Sequence, residues 1–266
     1  MSWTPEFMGL GNVLYVWLGA WIELERTGRQ VLETQKMQPW LETFPDLRRA
    51  GLAIRREDVG FFRQRDRPWR SGKGSESYTE EQLQSFSREF LLSAPLFQGA
   101  LAAHPGLDDP KSLTLNIRRG DYYSVPEFER LFGFDQVTYL KTAVSASIAR
   151  NDRTERIYVV SDGLDWCREN LAWLEDLGAH VEFADPTDSP QKNMLDVSSS
   201  RRLVLTNSTF SYWCGYLSGV MYPGNAADIW APRFFARFDG TNGDSDQLNE
   251  AWSIVETIEG GWDRAY

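Results

Sequence analysis

From residue 113 onward the chain alternates short β-favouring runs with amphipathic helical segments, and no other feature of its 266 residues restricts the fold as much. A strand at 113–117 leads through an irregular loop to a helix at 135–150 that carries Val137, Leu140, Val144 and Ile148. A strand at 156–160, a helix at 164–177, a strand at 180–183, a helix at 189–200, a strand at 203–205 and a helix at 209–217 follow. Successive β-α units call for crossover connections, and crossovers make neighbouring strands parallel. The second half therefore reads as a Rossmann-like α/β domain, a parallel sheet with helices on both faces.

The strand ends of such a sheet carry its chemistry, because open α/β sheets bind ligands outside the carboxyl ends of their strands. Here those ends read Arg118-Arg119-Gly120-Asp121, Ser161-Asp162-Gly163 and Thr206-Asn207-Ser208-Thr209. A guanidinium is a permanently charged planar fork suited to phosphate oxygens, and a glycine after it lets the backbone turn. Arg118 follows its strand directly and should reach the cleft. Arg119, one residue on, should tend to point the other way in an extended chain. Asn207-Ser208-Thr209 opens a helix, where Ser208 or Thr209 can cap and free N–H groups can meet an anion. Together the three ends suggest a phosphate or diphosphate site. Each also has a plainer reading: an Arg–Asp surface pair, a turn aspartate and a helix cap.

Charge sharpens the choice of ligand. The net charge is −10. Such a field repels nucleic acid and anionic lipid at long range, so an anionic ligand needs a local cationic pocket. Apolar residues make up 42% and charged residues 25%, which fits a folded globular chain. Cys167 and Cys214 stand far from one another and from any metal-ligand spacing, so two buried thiols in a reducing compartment are expected. His104 and His180 form no Cys/His cluster, and no metal site is expected. Asp244-Ser245-Asp246 matches an Asp-x-Asp metal motif but reads as a polar turn leading into a helix at 247–254. The start lacks a basic, cleavable leader, and the apolar stretch 7–24 is interrupted by Gly9, Gly11, Asn12, Gly19 and Glu23. These features point to a cytoplasmic protein without a membrane span.

The first half is less regular. Met8-Gly9-Leu10-Gly11-Asn12 reads as a glycine turn opening into a helix at 13–27, with Leu14, Trp17, Leu18, Trp21 and Leu24 on one stripe and Gly28 as its stop. A strand is expected within 29–33, then short helices and loops over 38–70. Arg63, Arg65, Arg67, Arg70 and Lys73 surround Trp69 in a basic stretch that reads either as a solvated loop or as a lid over an anionic substrate. Thr79-Glu80-Glu81-Gln82 has the form of a capping box starting a helix to about 93, and Pro95 opens another through 103. His104-Pro105-Gly106 to Pro110 breaks the pattern, dividing the chain into domains 1–108 and 109–266.

Four motifs in order, Gly9-Leu10-Gly11-Asn12, Asn116-Ile117-Arg118-Arg119-Gly120-Asp121-Tyr122, Val160-Ser161-Asp162 and Asn207-Ser208-Thr209-Phe210-Ser211, resemble those of the inverting α-1,2-fucosyltransferases. The resemblance runs from Gly9 to about Phe234. It implies a GT-B fold of two Rossmann-like domains facing a cleft, a GDP-L-fucose donor as substrate, a saccharide acceptor, and neither cofactor nor metal. Carried over, Arg118 binds the donor diphosphate and stabilises the departing GDP. Arg119, Asp162, Asn207, Ser208 and Thr209 hold the nucleotide and phosphates, while Gly9, Gly11 and Asn12 form the acceptor-side wall. Asp121 is the nearest motif carboxylate to serve as base, or else it orients the arginine. Asn116 stands where the family usually has histidine, Val13 where glutamine is common, and Asn193 and Ser200 where aspartate and cysteine are usual. Those departures keep two other readings open: transfer to a modified nucleic-acid base or protein side chain, and a non-catalytic nucleotide or sugar-binding protein.

Overall fold

A computed structural model of the chain describes residues 1–6, 8–61, 78–100, 102–151, 153–238 and 243–263. The basic stretch from Arg63 to Lys73 lies outside the described residues. The chain divides into two compact units, Met1–Ala102 and Ala103–Tyr266.

The first unit is organised on α1 (Leu10–Thr27), which buries Leu14, Trp17 and Leu18 of the expected stripe together with Val13, while Trp21 and Leu24 are half-buried. Gly28 ends it in a left-handed conformation (φ 61°) that an L side chain resists, and its N–H returns to the Leu24 carbonyl at 2.8 Å. The glycine turn is shorter than expected. Only Met8 and Gly9 lie outside the helix, Gly9 as its extended N-cap, and Leu10, Gly11 and Asn12 already belong to the first turn. Two-residue strands β1 (Val31–Leu32) and β2 (Ala53–Ile54) pair in parallel. Between them lie α2 (Gln38–Thr43) and α3 (Asp46–Arg49).

The capping box forms in full at α4 (Glu80–Phe86): Gln82 N–H reaches Thr79 Oγ1 at 3.2 Å, and Thr79 N–H reaches Gln82 Oε1 at 3.0 Å. A π-helical stretch, Ser87–Leu91, continues it, and Trp21 packs its ring on Phe86 and Phe90. The helix expected over 95–103 shrinks to a turn at Leu96–Ala100, because Gly99 leaves helical space with φ 93°.

The second unit carries six parallel strands: β3 (Ser112–Ile117), β4 (Arg156–Ser161), β5 (His180–Phe183), β6 (Leu203–Leu205), β7 (Ile229–Pro232) and β8 (Ser253–Val255). Their order is β5-β4-β3-β6-β7-β8, so the chain builds outward from β3 one way and then returns to build outward from β6 the other way. That reversal makes the β3/β6 boundary the topological switch point of the sheet, where a doubly wound fold opens its crevice.

Helices cover both faces. After β3 come α5 (Gly120–Ser124), α6 (Pro126–Phe132) and α7 (Gln136–Arg150), so two short helices replace the irregular loop read from the sequence. The helix expected at 164–177 is α8 (Leu164–Asn170) followed by a 3₁₀ segment, Ala172–Leu177. Then come α9 (Pro190–Ser198) and α10 (Thr209–Met221). Leu113, Leu115 and Ile117 pack with Tyr139, Leu140, Val144 and Cys167 in one core. The alternate residues of β3 meet the last two helices and the turn between α9 and β6: Thr114 Oγ1 lies 2.8 Å from Ser200 Oγ, and Ser211 donates to Asn116 Oδ1 at 2.6 Å. Every residue of β3 is buried, as a central strand covered on both faces requires.

The expected helix at 247–254 is wrong. Its residues form turns and then β8, because Ser253–Val255 completes the sheet beside β7. Among the described residues no helix is long and apolar enough to cross a membrane.

Candidate active site

β3 stops pairing at Ile117, opposite Ser161, and Arg118 leaves its carboxyl end. From there side chains take over from the sheet ladder. The Arg118 N–H reaches Thr206 Oγ1 at 2.8 Å, and the same hydroxyl lies 3.3 Å from the Asn116 carbonyl, tying the ends of β3 and β6 together. The Arg119 N–H reaches Asp162 Oδ1 at 2.6 Å, tying the turn to the end of β4.

The Arg118 guanidinium is forked between two carboxylates. One nitrogen donates to Asp162 Oδ2, and the other to Asp121 Oδ1 at 2.5 Å. Its side chain is 34% exposed. Burial alone would lower its pKa, but the negative charges of Asp162 and Asp121 outweigh that and raise it. The Tyr122 ring lies 5.1 Å from the guanidinium carbon and stacks on Phe132, with centroids 4.2 Å apart. Burial pushes the Tyr122 hydroxyl up to about 12, so it stays protonated at neutral pH.

Arg119 has different surroundings, as its alternation with Arg118 suggested. Its guanidinium carbon lies 3.5 Å from the Tyr123 ring centroid and 3.9 Å from that of Trp166, and one nitrogen donates to Gln136 Oε1 at 3.1 Å. Gly163 is required beneath it, since a Cβ there would stand 2.6 Å from Arg119 Cβ.

The third strand end is assembled differently from its expected role as a helix cap. Ser208 occupies the N-cap position of α10, but its side chain makes no capping bond. Asn207 is fully buried, and its amide donates to the carbonyls of Phe132 and Phe235 at 2.8 Å each. It is therefore a tie holding the ends of α6 and β7 to the switch point. Its Oδ1 is buried without a partner, while Ser208 and Thr209 are 6% and 8% exposed. Arg118, Arg119, Asp121 and Asp162 thus form one bonded cluster, with Thr206 joining it to the start of α10.

Chemically the cluster offers a cation fork bonded to two carboxylates, on a turn whose main chain is tied through Thr206 to the segment that opens α10. Asn116 and Ser200, where the motifs depart from the expected residues, are both buried and bonded within the core. The substitutions at those two positions therefore lie in the packing beneath the strand ends. Asn193 Oδ1 is buried without a partner. Gly9, Gly11 and Asn12 belong to the other compact unit. Asp244 and Asp246 follow β7 in an irregular segment, and among the described residues no group of three or more His, Cys, Asp or Glu side chains could hold a metal.

Sequence reasoning places Thr206 at its strand end but misses Gln136, Tyr123 and Trp166 as parts of this site. Tyr123 adjoins the arginine motif and could have been found there, whereas Gln136 and Trp166 lie on helices whose arrival at the switch point no local pattern reports.

The family model described as glycosyl transferase family 11 matches residues 75–222, more than half of the chain. Among curated proteins, galactoside alpha-(1,2)-fucosyltransferase 1 of Aotus azarae is 28% identical over 163 residues, covering 56% of this chain and 43% of that protein. The protein of the same description from Leontocebus fuscicollis matches with the same identity and coverage. The chain thus spans less than half the length of these relatives. With a match of this extent running through the strand ends that form the site, the chain belongs to glycosyl transferase family 11.

Proposed function

We propose that this chain transfers L-fucose from GDP-L-fucose to a hydroxyl of a galactoside-type saccharide, with inversion at the anomeric carbon. The observation that carries the reading is the Arg118 fork at the β3/β6 switch point, next to the start of α10, in a member of family 11. The similarity to galactoside alpha-(1,2)-fucosyltransferases supports the choice of sugar and acceptor class.

In this reading the acceptor hydroxyl oxygen attacks the anomeric carbon as the bond to the diphosphate breaks; the electron pair leaves with GDP, and the hydroxyl proton passes to solvent water. Arg118 and the α10 N-terminus meet that growing negative charge, which is where preorganised donors lower a barrier most. Ser208 and Thr209 lie at the same helix start and contact the phosphates, with Asn207 supporting them from below. Asp162 and Asp121 hold Arg118 in register until the diphosphate takes its place between them. Asp121, the candidate base, then acts through Arg118: an inverting transfer needs its base across the anomeric carbon from the leaving group, and Asp121 is bonded to the leaving-group side. Arg119 supports the same turn.

The unit Met1–Ala102, with Gly9, Gly11 and Asn12, is the acceptor-side domain of a GT-B pair in this proposal, and the unit from Ala103 is the donor-side domain. The reaction needs no metal, because the arginine and helix terminus carry the phosphate charge. The reading includes a reducing, cytoplasmic compartment, which the free and buried Cys167 and Cys214 support.

The test is a thermal-shift panel with GDP, UDP, ADP and inorganic phosphate, followed by transfer from GDP-fucose to a galactoside. A ligand bound only by the folded state stabilises it by about 2.7 kcal/mol at a hundred times its Kd. Selective stabilisation by GDP with fucose transfer is expected; equal indifference to all four ligands, with no transfer, overturns the proposal.

A further inference from the structure

We infer that Gln136 is the positioning residue for Arg118, holding it through its main chain. The inference rests on the donor-binding role proposed for Arg118. Gln136 is the first residue of α7 and is fully buried. Its Nε2 donates to the Arg118 carbonyl at 2.9 Å, while its Oε1 accepts from Arg119 Nη1 at 3.1 Å. One planar amide thus engages both arginines, giving a donor to one and an acceptor to the other.

The reason an amide is needed lies in how the turn is built. Three main-chain groups flank or form the Arg118–Arg119 peptide, and each ends on a side chain from a different element. The Arg118 N–H goes to Thr206 after β6, the Arg118 carbonyl to Gln136 on α7, and the Arg119 N–H to Asp162 after β4. The sheet ladder has already stopped at Ile117. Thr206 and Asp162 grip the turn from its two neighbouring strands, and Gln136 adds the third point, from the helix. Three anchors from three elements fix an orientation that two would leave free to pivot. The guanidinium amplifies any such pivot at the end of a long side chain, and a displacement of about 1 Å is enough to cost on the order of 10²-fold in rate at a reacting centre.

Two variants separate the bonds. Gln136→Met removes both. Gln136→Glu keeps the volume and an acceptor for Arg119 but loses the N–H that meets the Arg118 carbonyl. If the Arg118 bond is the one that matters, both variants lose tenfold or more in kcat and in GDP affinity, with the acceptor KM within about twofold of wild type. If Gln136→Met fails to fold, Gln136→Glu alone decides. Wild-type kcat and GDP affinity in Gln136→Glu overturn the inference, as does a raised acceptor KM at unchanged kcat.

Should the wild-type chain bind no GDP and transfer no fucose, the functional proposal fails by itself. Crystal structures of wild type and Gln136→Glu then decide the positioning role. The expected result is an Arg118 carbonyl displaced and a guanidinium released from Asp162; an unmoved Arg118 overturns it.

Discussion

A Cβ on Gly120 would stand 2.5 Å from Asp162 Oδ2, so the absence of a side chain at Gly120 is what lets Asp162 reach Arg118. The backbone there also has a positive φ of 28°. Gly120→Ala meets both obstacles, and either the turn or the carboxylate must move. We expect the variant to be less stable by about 1–3 kcal/mol, the cost of a strained backbone position. Fucose transfer should fall by about tenfold or more as Arg118 loses its alignment. Differential scanning calorimetry and initial rates check the two effects separately.

The two arginines should respond differently to lysine. Arg118→Lys keeps the charge and loses the fork, so it should fold normally yet lose on the order of 10²-fold in rate, comparable with removing one preorganised donor. Arg119→Lys loses contacts with the Tyr123 and Trp166 rings and should cost stability of about 1–2 kcal/mol, with a smaller loss of rate. Turnover, GDP affinity and urea denaturation distinguish the pair. Near-wild-type turnover in both Arg118→Lys and Arg118→Ala, or greater catalytic sensitivity at Arg119, would contradict the assignment.

Acid sensitivity should include a contribution from the first unit. Arg48 binds Glu33 with both arms, at 2.9 and 2.8 Å, and the Glu33 side chain is only 6% exposed. The Arg48 hydrogen bonds hold the Glu33 carboxyl below its ordinary value of 4.5 despite the opposing effect of burial. A folded-state pKa below the unfolded one stabilises the fold above the unfolded value, and that stability is lost as pH falls through the folded value. Glu33→Gln should cost about 1–3 kcal/mol at pH 7. The gap between its Tm and that of wild type should narrow steadily below pH 4.5, and a gap independent of pH would show that the charge is immaterial.

Chelation supplies a fourth check. If Arg118 and the α10 N-terminus carry the phosphate charge, transfer should continue at its full rate in excess EDTA. Loss of activity in EDTA with recovery on adding Mn²⁺ would require a metal in the reaction and would return interest to Asp244 and Asp246.

What the sequence determined by itself was the local architecture. The three- and four-residue stripe of α1, the capping box at Thr79 and Gln82, and the strands at the centre of the second unit are each written within a dozen or so neighbouring residues. The arginine and asparagine motifs could be placed at strand ends for the same reason: periodicity stops where a strand stops. Tertiary structure decided which ends meet. Nothing local requires β6 to lie beside β3, yet that adjacency brings Thr206 to Arg118 and makes the switch point.

Residues 253–255 are too short a run to declare a period, and they became a strand because β7 offered an unpaired edge. Gln136 carries no motif, and its role exists only because α7 begins beneath the Arg118 turn. Local pattern records how a segment satisfies its own backbone and buries one face. The partners at a site are chosen by packing among segments far apart in the chain, where burial and hydrogen bonding are decided jointly and no short stretch contains the answer.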